Sequence, residues 1–136
     1  MTDWIDELMD EGILLKVDGK PNADKGQGLW YQHVASEAQK RAGEEKWFAD
    51  PKAAYAIKMH FIFNLPKATK NTQRHIVKPD LGRLELTTLK ALEHIIFPDI
   101  KQVIHVDKTK CYGKGEAALI EVIKTPGKAR WPGVVD

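Results

Sequence analysis

The chain has 136 residues, a formal net charge of +2 and a hydrophobic fraction of 43%. This length suits one domain with its own apolar core, and the composition excludes collagen-like and fully disordered chains. The single cysteine cannot form an internal disulfide, which excludes a disulfide-stapled secreted scaffold. No apolar run approaches the roughly 18 residues of a membrane span, and the acidic N-terminus is unlike a basic signal peptide. We therefore expect a cytoplasmic protein without a membrane partner.

Charge is distributed unevenly between the two halves of the chain. Residues 1–63 carry 8 Lys/Arg and 11 Asp/Glu, whereas residues 64–136 carry 13 and 8. The first eleven residues hold five acids and no base. A basic half is the electrostatic signature of a polyanionic partner, although a solvated surface produces the same composition.

Hydrophobic periodicity predicts alternating helices and strands. In chain order, the predicted elements are helix 3–11, strand 13–17, helix 29–42, strand 53–63, helix 81–96, and strands 102–108 and 117–123. We divide the chain into an acidic N-terminal helix (1–12), one domain (13–124) and a tail containing Pro and Gly (125–136). The expected fold class is α/β (α+β), a small mixed β-sheet packed with helices.

The sequence also predicts how three of these segments pack or connect. Strand 53–63 places one row of side chains on a single face, which we expect to be buried: Tyr55, Ile57, Met59, Phe61 and Phe63. The wide apolar stripe of helix 81–96 predicts burial on two sides, against the sheet and against a second subunit. Gly113-Lys114-Gly115 predicts a hairpin turn between the last two strands.

Four segments in the second half of the chain carry a family resemblance. They are Lys78-Pro79-Asp80-Leu81-Gly82-Arg83-Leu84, Leu89-Lys90-Ala91-Leu92, Phe97-Pro98-Asp99-Ile100-Lys101-Gln102-Val103 and Lys108-Thr109-Lys110-Cys111-Tyr112-Gly113. Together and in this register they resemble the RusA family of bacterial and phage Holliday-junction resolvases. That family's pattern is K-P-D-hydrophobic-D-[NK]-L, a helix ending D-[AG]-L, D-D-x-Q-hydrophobic, and a strand with K-x-x-Y-G.

The resemblance implies a RusA-like fold, a homodimer and a function in DNA recombination and repair. Family members bind four-way DNA junctions and cut them with Mg²⁺. Magnesium prefers oxygen ligands in octahedral geometry, and it activates the water that attacks the scissile phosphate. Several carboxylates must therefore converge on one site.

The sequence departs from the family pattern at those carboxylates. Of the family's three catalytic aspartate positions, only Asp80 is retained here, because the other two are Gly82 and Ile100, and Leu86 occupies the family's basic position. Asp99 matches the aspartate beside the lost one at Ile100, so the resemblance leaves Asp80 and Asp99 as the candidate catalytic and metal-binding residues. Since glycine and isoleucine offer no ligand atoms, we expect Mg²⁺-dependent cleavage to be weak or lost.

Asp80 and Asp99 also have structural interpretations. Asp80 stands just before the predicted helix, where aspartate commonly caps the N-terminus. Asp99 follows Pro98 in a connection and would shape a turn. A third interpretation keeps a working nuclease, with Glu85 joining the two aspartates in a rebuilt metal site.

Residues 66–83 form a basic stretch with one acid, Asp80. The candidate DNA-binding residues in it are Lys67, Lys70, Arg74, His75, Lys78 and Arg83. Such a cluster contacts phosphates in a salt-sensitive manner, or it is an ordinary solvated loop.

The leading hypothesis is a homodimer that binds branched DNA with weak or lost cleavage. The alternative is a repurposed, catalytically inactive protein that binds a protein partner through the acidic N-terminal helix or the basic loop.

Overall fold

The computed structural model describes residues 11–23, 28–67 and 74–126. These residues form a four-stranded mixed sheet packed with two helices, which confirms the predicted mixed α+β architecture. The elements in chain order are β1 (Glu11–Asp18), α1 (Leu29–Glu44), β2 (Ala53–Asn64), α2 (Leu81–Leu92), β3 (Val103–Gly113) and β4 (Ala117–Pro126). One 3₁₀ turn, Ile100–Gln102, precedes β3.

The strand order in the sheet is β1-β4-β2-β3. Strand β4 runs antiparallel to both of its neighbours, while β2 and β3 run parallel and are joined through α2. Strands β1, β2 and β3 consequently point in one direction. We call the end of the sheet where these three strands finish its carboxyl end.

The core lies between the helices and one face of the sheet. All five predicted residues of β2, from Tyr55 to Phe63, are buried, because alternate side chains of a strand point to the same face. Trp30 on α1 fixes the helices to each other by donating its indole N–H to the Thr88 hydroxyl on α2, at 3.2 Å. Within the described residues, neither helix is long and apolar enough to cross a membrane.

Helix α2 ends earlier than the predicted helix 81–96. Its last residue is Leu92, after which the chain turns through His94 at a φ of 73°. The His94 amide donates to the Phe97 carbonyl, and Ile96 and Phe97 are both fully buried. The apolar residues that extended the helical pattern therefore reach the core through a turn.

Strands β1 and β4 both extend beyond their predicted bounds. Strand β1 begins at Glu11, so residues 11 and 12 belong to the sheet and pair with Lys124 and Ile123. Strand β4 continues to Pro126, past the predicted start of the tail. The rest of the predicted N-terminal helix and tail lies outside the described residues.

The predicted hairpin between the last two strands is wrong. In the described sheet β3 and β4 lie on opposite sides of β2, so their connection crosses the carboxyl end of β2. The Asn64 side-chain oxygen accepts a hydrogen bond from the Gly115 amide at 2.9 Å. Gly115 has a φ of +89°, and a Cβ at Gly113 would lie 2.8 Å from the Ile62 methyl carbon. Both glycines are therefore required by this crossing.

Substituting Gly113→Ala tests the close approach at the crossing. Inserting a methyl group into packed space costs about 1–3 kcal/mol, so the urea midpoint should fall. The matched control is Gly43→Ala in α1, where a new Cβ meets nothing within 4 Å and should stabilise by up to about 1 kcal/mol. Equal midpoints for the two variants would contradict the tight crossing.

Candidate functional site

The segment that leads into α2 lies at the carboxyl end of the sheet. Lys110 on β3 holds it there, because its ammonium group donates to the carbonyl oxygens of Val77 at 2.7 Å and Pro79 at 2.9 Å. The peptide bond between Lys78 and Pro79 is cis. The backbone before α2 is thus fixed to the sheet by a charged side chain.

A cleft of about 650 Å³ opens beside this segment. Its walls come from the chain after β1, the segment before α2, the first turn of α2 and the end of β3. The charged residues that line it are Lys20, Lys78, Arg83, Lys110 and Asp80. Four cations thus face one carboxylate. The remaining lining residues are Asn22, Ala23, Ile76, Val77 and Pro79.

Helix geometry adds to this positive potential. Both α1 and α2 begin at the carboxyl end of the sheet, since each follows a strand that finishes there. The N-terminus of a helix carries roughly half a positive charge and free backbone N–H groups. The start of α2, and not that of α1, lines the cleft, so the α2 N-terminus adds to the positive potential there, with one of its N–H groups bound by Asp80.

Asp80 caps the N-terminus of α2. Its Oδ1 accepts the Arg83 amide at 2.9 Å, and its carbonyl accepts the Leu84 amide at 3.2 Å. Its Oδ2 lies 3.5 Å from the Arg83 guanidinium, but both side chains are largely exposed and the ion pair is screened. The capping interpretation of Asp80 is confirmed.

Asp99 lies at the opposite end of α2. Its side chain accepts the Lys101 amide at 2.9 Å and caps the 3₁₀ turn before β3, which confirms the interpretation of Asp99 as a turn residue. Ile100 beside it donates its amide to the Glu93 carboxylate. A twelve-residue helix is about 18 Å long, so the structure does not bring Asp80 and Asp99 together within one chain.

The other residues considered for the metal site have separate surroundings. Glu85 accepts a hydrogen bond from Lys108 at 2.7 Å, and both side chains are about two-thirds buried or more. Leu86 is 49% exposed, and Gly82 is exposed in the first turn of α2. Among the described residues, no group of three His, Cys, Asp or Glu side chains is placed to hold a metal ion. These positions do not fit the shared Mg²⁺ site that the resemblance implies.

The predicted basic residues divide between surface and core. Lys78 and Arg83 line the cleft, and Lys67 and Arg74 are exposed on the chain between β2 and α2. Lys70 lies outside the described residues.

His75 differs from the prediction because it is buried. Only 7% of the residue is exposed, and its ring packs against Phe63 and Tyr112 at centroid distances of 4.3 and 4.7 Å. Burial lowers its pKa below the ordinary 6.5, and the charge of Lys110 lowers it further. His75 is therefore a neutral packing residue at pH 7, not an exposed cation.

Sequence reasoning missed two of the four cations in the cleft. Lys20 follows β1, and Lys110 lies near the end of β3, 90 residues later. The available signal was the alternation of β3, which places Lys108, Lys110 and Tyr112 on one face. That signal shows which face they share but not which distant segment they approach.

No protein-family model matches the chain, and no curated protein is significantly similar to it.

Two substitutions at Asp80 separate helix capping from other roles. Asp80→Ala removes the acceptor for the Arg83 amide and should destabilise by about 1 kcal/mol, while Asp80→Asn keeps an acceptor and should cost much less. Urea unfolding followed by circular dichroism measures both. A loss as large for asparagine as for alanine would show that the negative charge, rather than the cap, stabilises this position.

Proposed function

We propose that the protein is a RusA-like homodimer that binds branched, four-way DNA and has weak or no Mg²⁺-dependent cleavage activity. The observation that carries this proposal is the cleft at the start of α2. It combines four cationic side chains with one carboxylate, Asp80, which is already engaged in capping.

The charge of the cleft supports a DNA ligand. Lys and Arg side chains that neutralise phosphates release condensed counterions, and this release supplies most of the sequence-independent affinity for DNA. Contacts to the phosphate backbone also fix the position of a protein on DNA. Lys78 and Arg83 both line the cleft, so both are available for contacts to phosphates.

The placement of the acids supports binding without efficient cutting. Gly82 brings no carboxylate to the first turn of α2, and Glu85 is paired with Lys108 one turn further on. Fewer carboxylates near the cleft mean less repulsion of the DNA backbone and fewer ligands for a divalent cation. The absence of a carboxylate at residue 82 thus weakens catalysis and favours binding.

Junction binding is tested by fluorescence anisotropy with a labelled four-way junction and a linear duplex of equal length. We expect tighter binding to the junction. Lys78→Ala combined with Arg83→Ala should weaken binding and lower the slope of log affinity against log salt by roughly 2, because each cation that contacts a phosphate contributes about 0.9.

The matched control is Lys40→Ala combined with Lys90→Ala. Both lysines are exposed and lie outside the cleft, Lys40 on α1 and Lys90 in the last turn of α2. This pair should leave the salt slope unchanged. An absence of junction binding at low salt would overturn the proposal, and equal affinity for junction and duplex would overturn its preference for branched DNA.

Cleavage is tested with the same junction on a denaturing gel, in Mg²⁺ or Mn²⁺ and against a metal-free control. We expect the wild type to leave the strands intact and Gly82→Asp to gain metal-dependent nicking. A Cβ at residue 82 would lie 3.6 Å from the Asp80 carboxylate, so the new acid has room beside it.

Ile100→Asp is the control for this gain. It adds a carboxylate at the far end of α2 and should not increase cleavage by itself. Paired nicks made by the wild type would contradict the loss of activity, and a gain from Ile100→Asp alone would contradict the assignment of the site to the start of α2.

A further inference from the structure

His75 occupies the point where the segment before α2 meets the sheet. Its ring contacts Phe63, near the end of β2, and Tyr112, near the end of β3, and these two residues are paired neighbours in the parallel ladder. The next five residues, Ile76 to Asp80, all line the cleft. The packing of His75 therefore positions one wall of the cleft.

The imidazole is buried without full hydrogen bonding. Among the described residues its Nδ1 atom has no hydrogen-bond partner. Buried polar atoms in folded proteins usually have one, so His75 is buried without the hydrogen bond that normally offsets the cost of removing Nδ1 from water.

The groups around His75 disfavour a positive charge. Strand β2 contributes the Phe63 ring, which cannot ionise, and β3 contributes Tyr112 and the positive charge of Lys110. On its own segment the adjacent charged residue is Arg74. Protonation of the ring would thus place a cation in an apolar contact and beside another cation.

We propose that His75 is a pH-sensitive clasp. The neutral ring, together with Lys110, holds residues 74–79 against the ends of β2 and β3, and protonation of the ring removes the His75 part of that attachment. Applied to the cleft, this inference rests on the proposed function, since loosening the segment displaces Lys78 and its neighbours from the wall they form.

The direction of the pH effect follows from the two states of the segment. In the released segment the imidazole titrates near 6.5, and in the held segment its pKa is lower because of burial and Lys110. The holding interaction is complete above pH 6.5. Below that value, the ratio of held to released segment falls by about tenfold per pH unit until the lower pKa is passed.

Nuclear magnetic resonance of the protein without DNA tests the clasp directly. The five histidine ring signals are followed from pH 8 to 5, and that of His75 is assigned by its absence in His75→Phe. We expect it to titrate below 6.5, with the methyl signals of Ile76 and Val77 shifting at the same midpoint. A midpoint at or above 6.5, or methyl signals that do not follow it, would overturn the clasp.

Two variants sharpen this test. His75→Phe keeps an aromatic ring against Phe63 and Tyr112 but cannot be protonated, so the Ile76 and Val77 shifts should disappear. His105→Gln changes an exposed histidine on the opposite face of the sheet and should leave them in place. If His75→Phe showed the same transition as the wild type, another group would be responsible.

The effect of the clasp on DNA binding is tested by measuring the affinity of the wild type and of His75→Phe for the four-way junction at pH 7.5 and 5.5. Protonation of exposed histidines strengthens binding to a polyanion at acid pH, whereas the clasp predicts that the wild type loses affinity relative to His75→Phe. A wild type that gains as much affinity as the variant would count against the clasp. If neither protein binds DNA at pH 7.5, the proposed function fails, and the resonance titration still decides the clasp.

Discussion

The parallel pairing of β2 with β3 is the constraint on which the rest of the molecule depends. Parallel strands cannot be joined by a tight turn, so the chain must return along the sheet, and α2 provides that return. The helix consequently starts at the carboxyl end of the sheet and finishes at the opposite end. This single requirement places the cleft, the capping residue Asp80 and the basic segment at one end, and Asp99 at the other.

Two side chains with different chemistry hold the basic segment at that end. Lys110 binds its backbone carbonyls through charged hydrogen bonds, while His75 packs into an aromatic contact. The two attachments are linked, because the charge that makes Lys110 a strong donor also disfavours a proton on His75. Burial is the larger cause of the lowered pKa of His75, and the lysine that shapes the cleft lowers it further.

Sequence patterns predicted local features better than distant contacts. The alternation in β2 identified a buried face, and the position of Asp80 before a helical pattern indicated a cap, since both depend on residues a few positions apart. The partner of β3 was missed because glycines at a turn do not reveal which strand lies beside it. The end of α2 was missed because Ile96 and Phe97 fit a helical stripe and also fit a buried turn.

The candidate site shows the same division. Lys78 and Arg83 were found because they lie within one short basic stretch. Lys20 and Lys110 join them only through the topology, which brings the ends of β1 and β3 to the same cleft. His75 was counted with the exposed basic residues because a histidine between Arg74 and Ile76 carries no sequence signal that it is buried. Its surroundings come from Phe63 and Tyr112, which are distant in the chain.

Asp80 and Gly82 differ in what they indicate about a metal site, because helix stability explains the residue at position 80 but not the residue at position 82. A cap stabilises a helix by about 1 kcal/mol, so the presence of an aspartate at residue 80 is explained without any metal ion. Glycine in the first turn of α2 has no such explanation, because it costs up to about 1 kcal/mol relative to alanine. An acid there would also favour the helix N-terminus. Gly82 thus forgoes both helix stability and a possible ligand, and the proposed loss of metal-dependent cleavage rests on this position more than on Asp80.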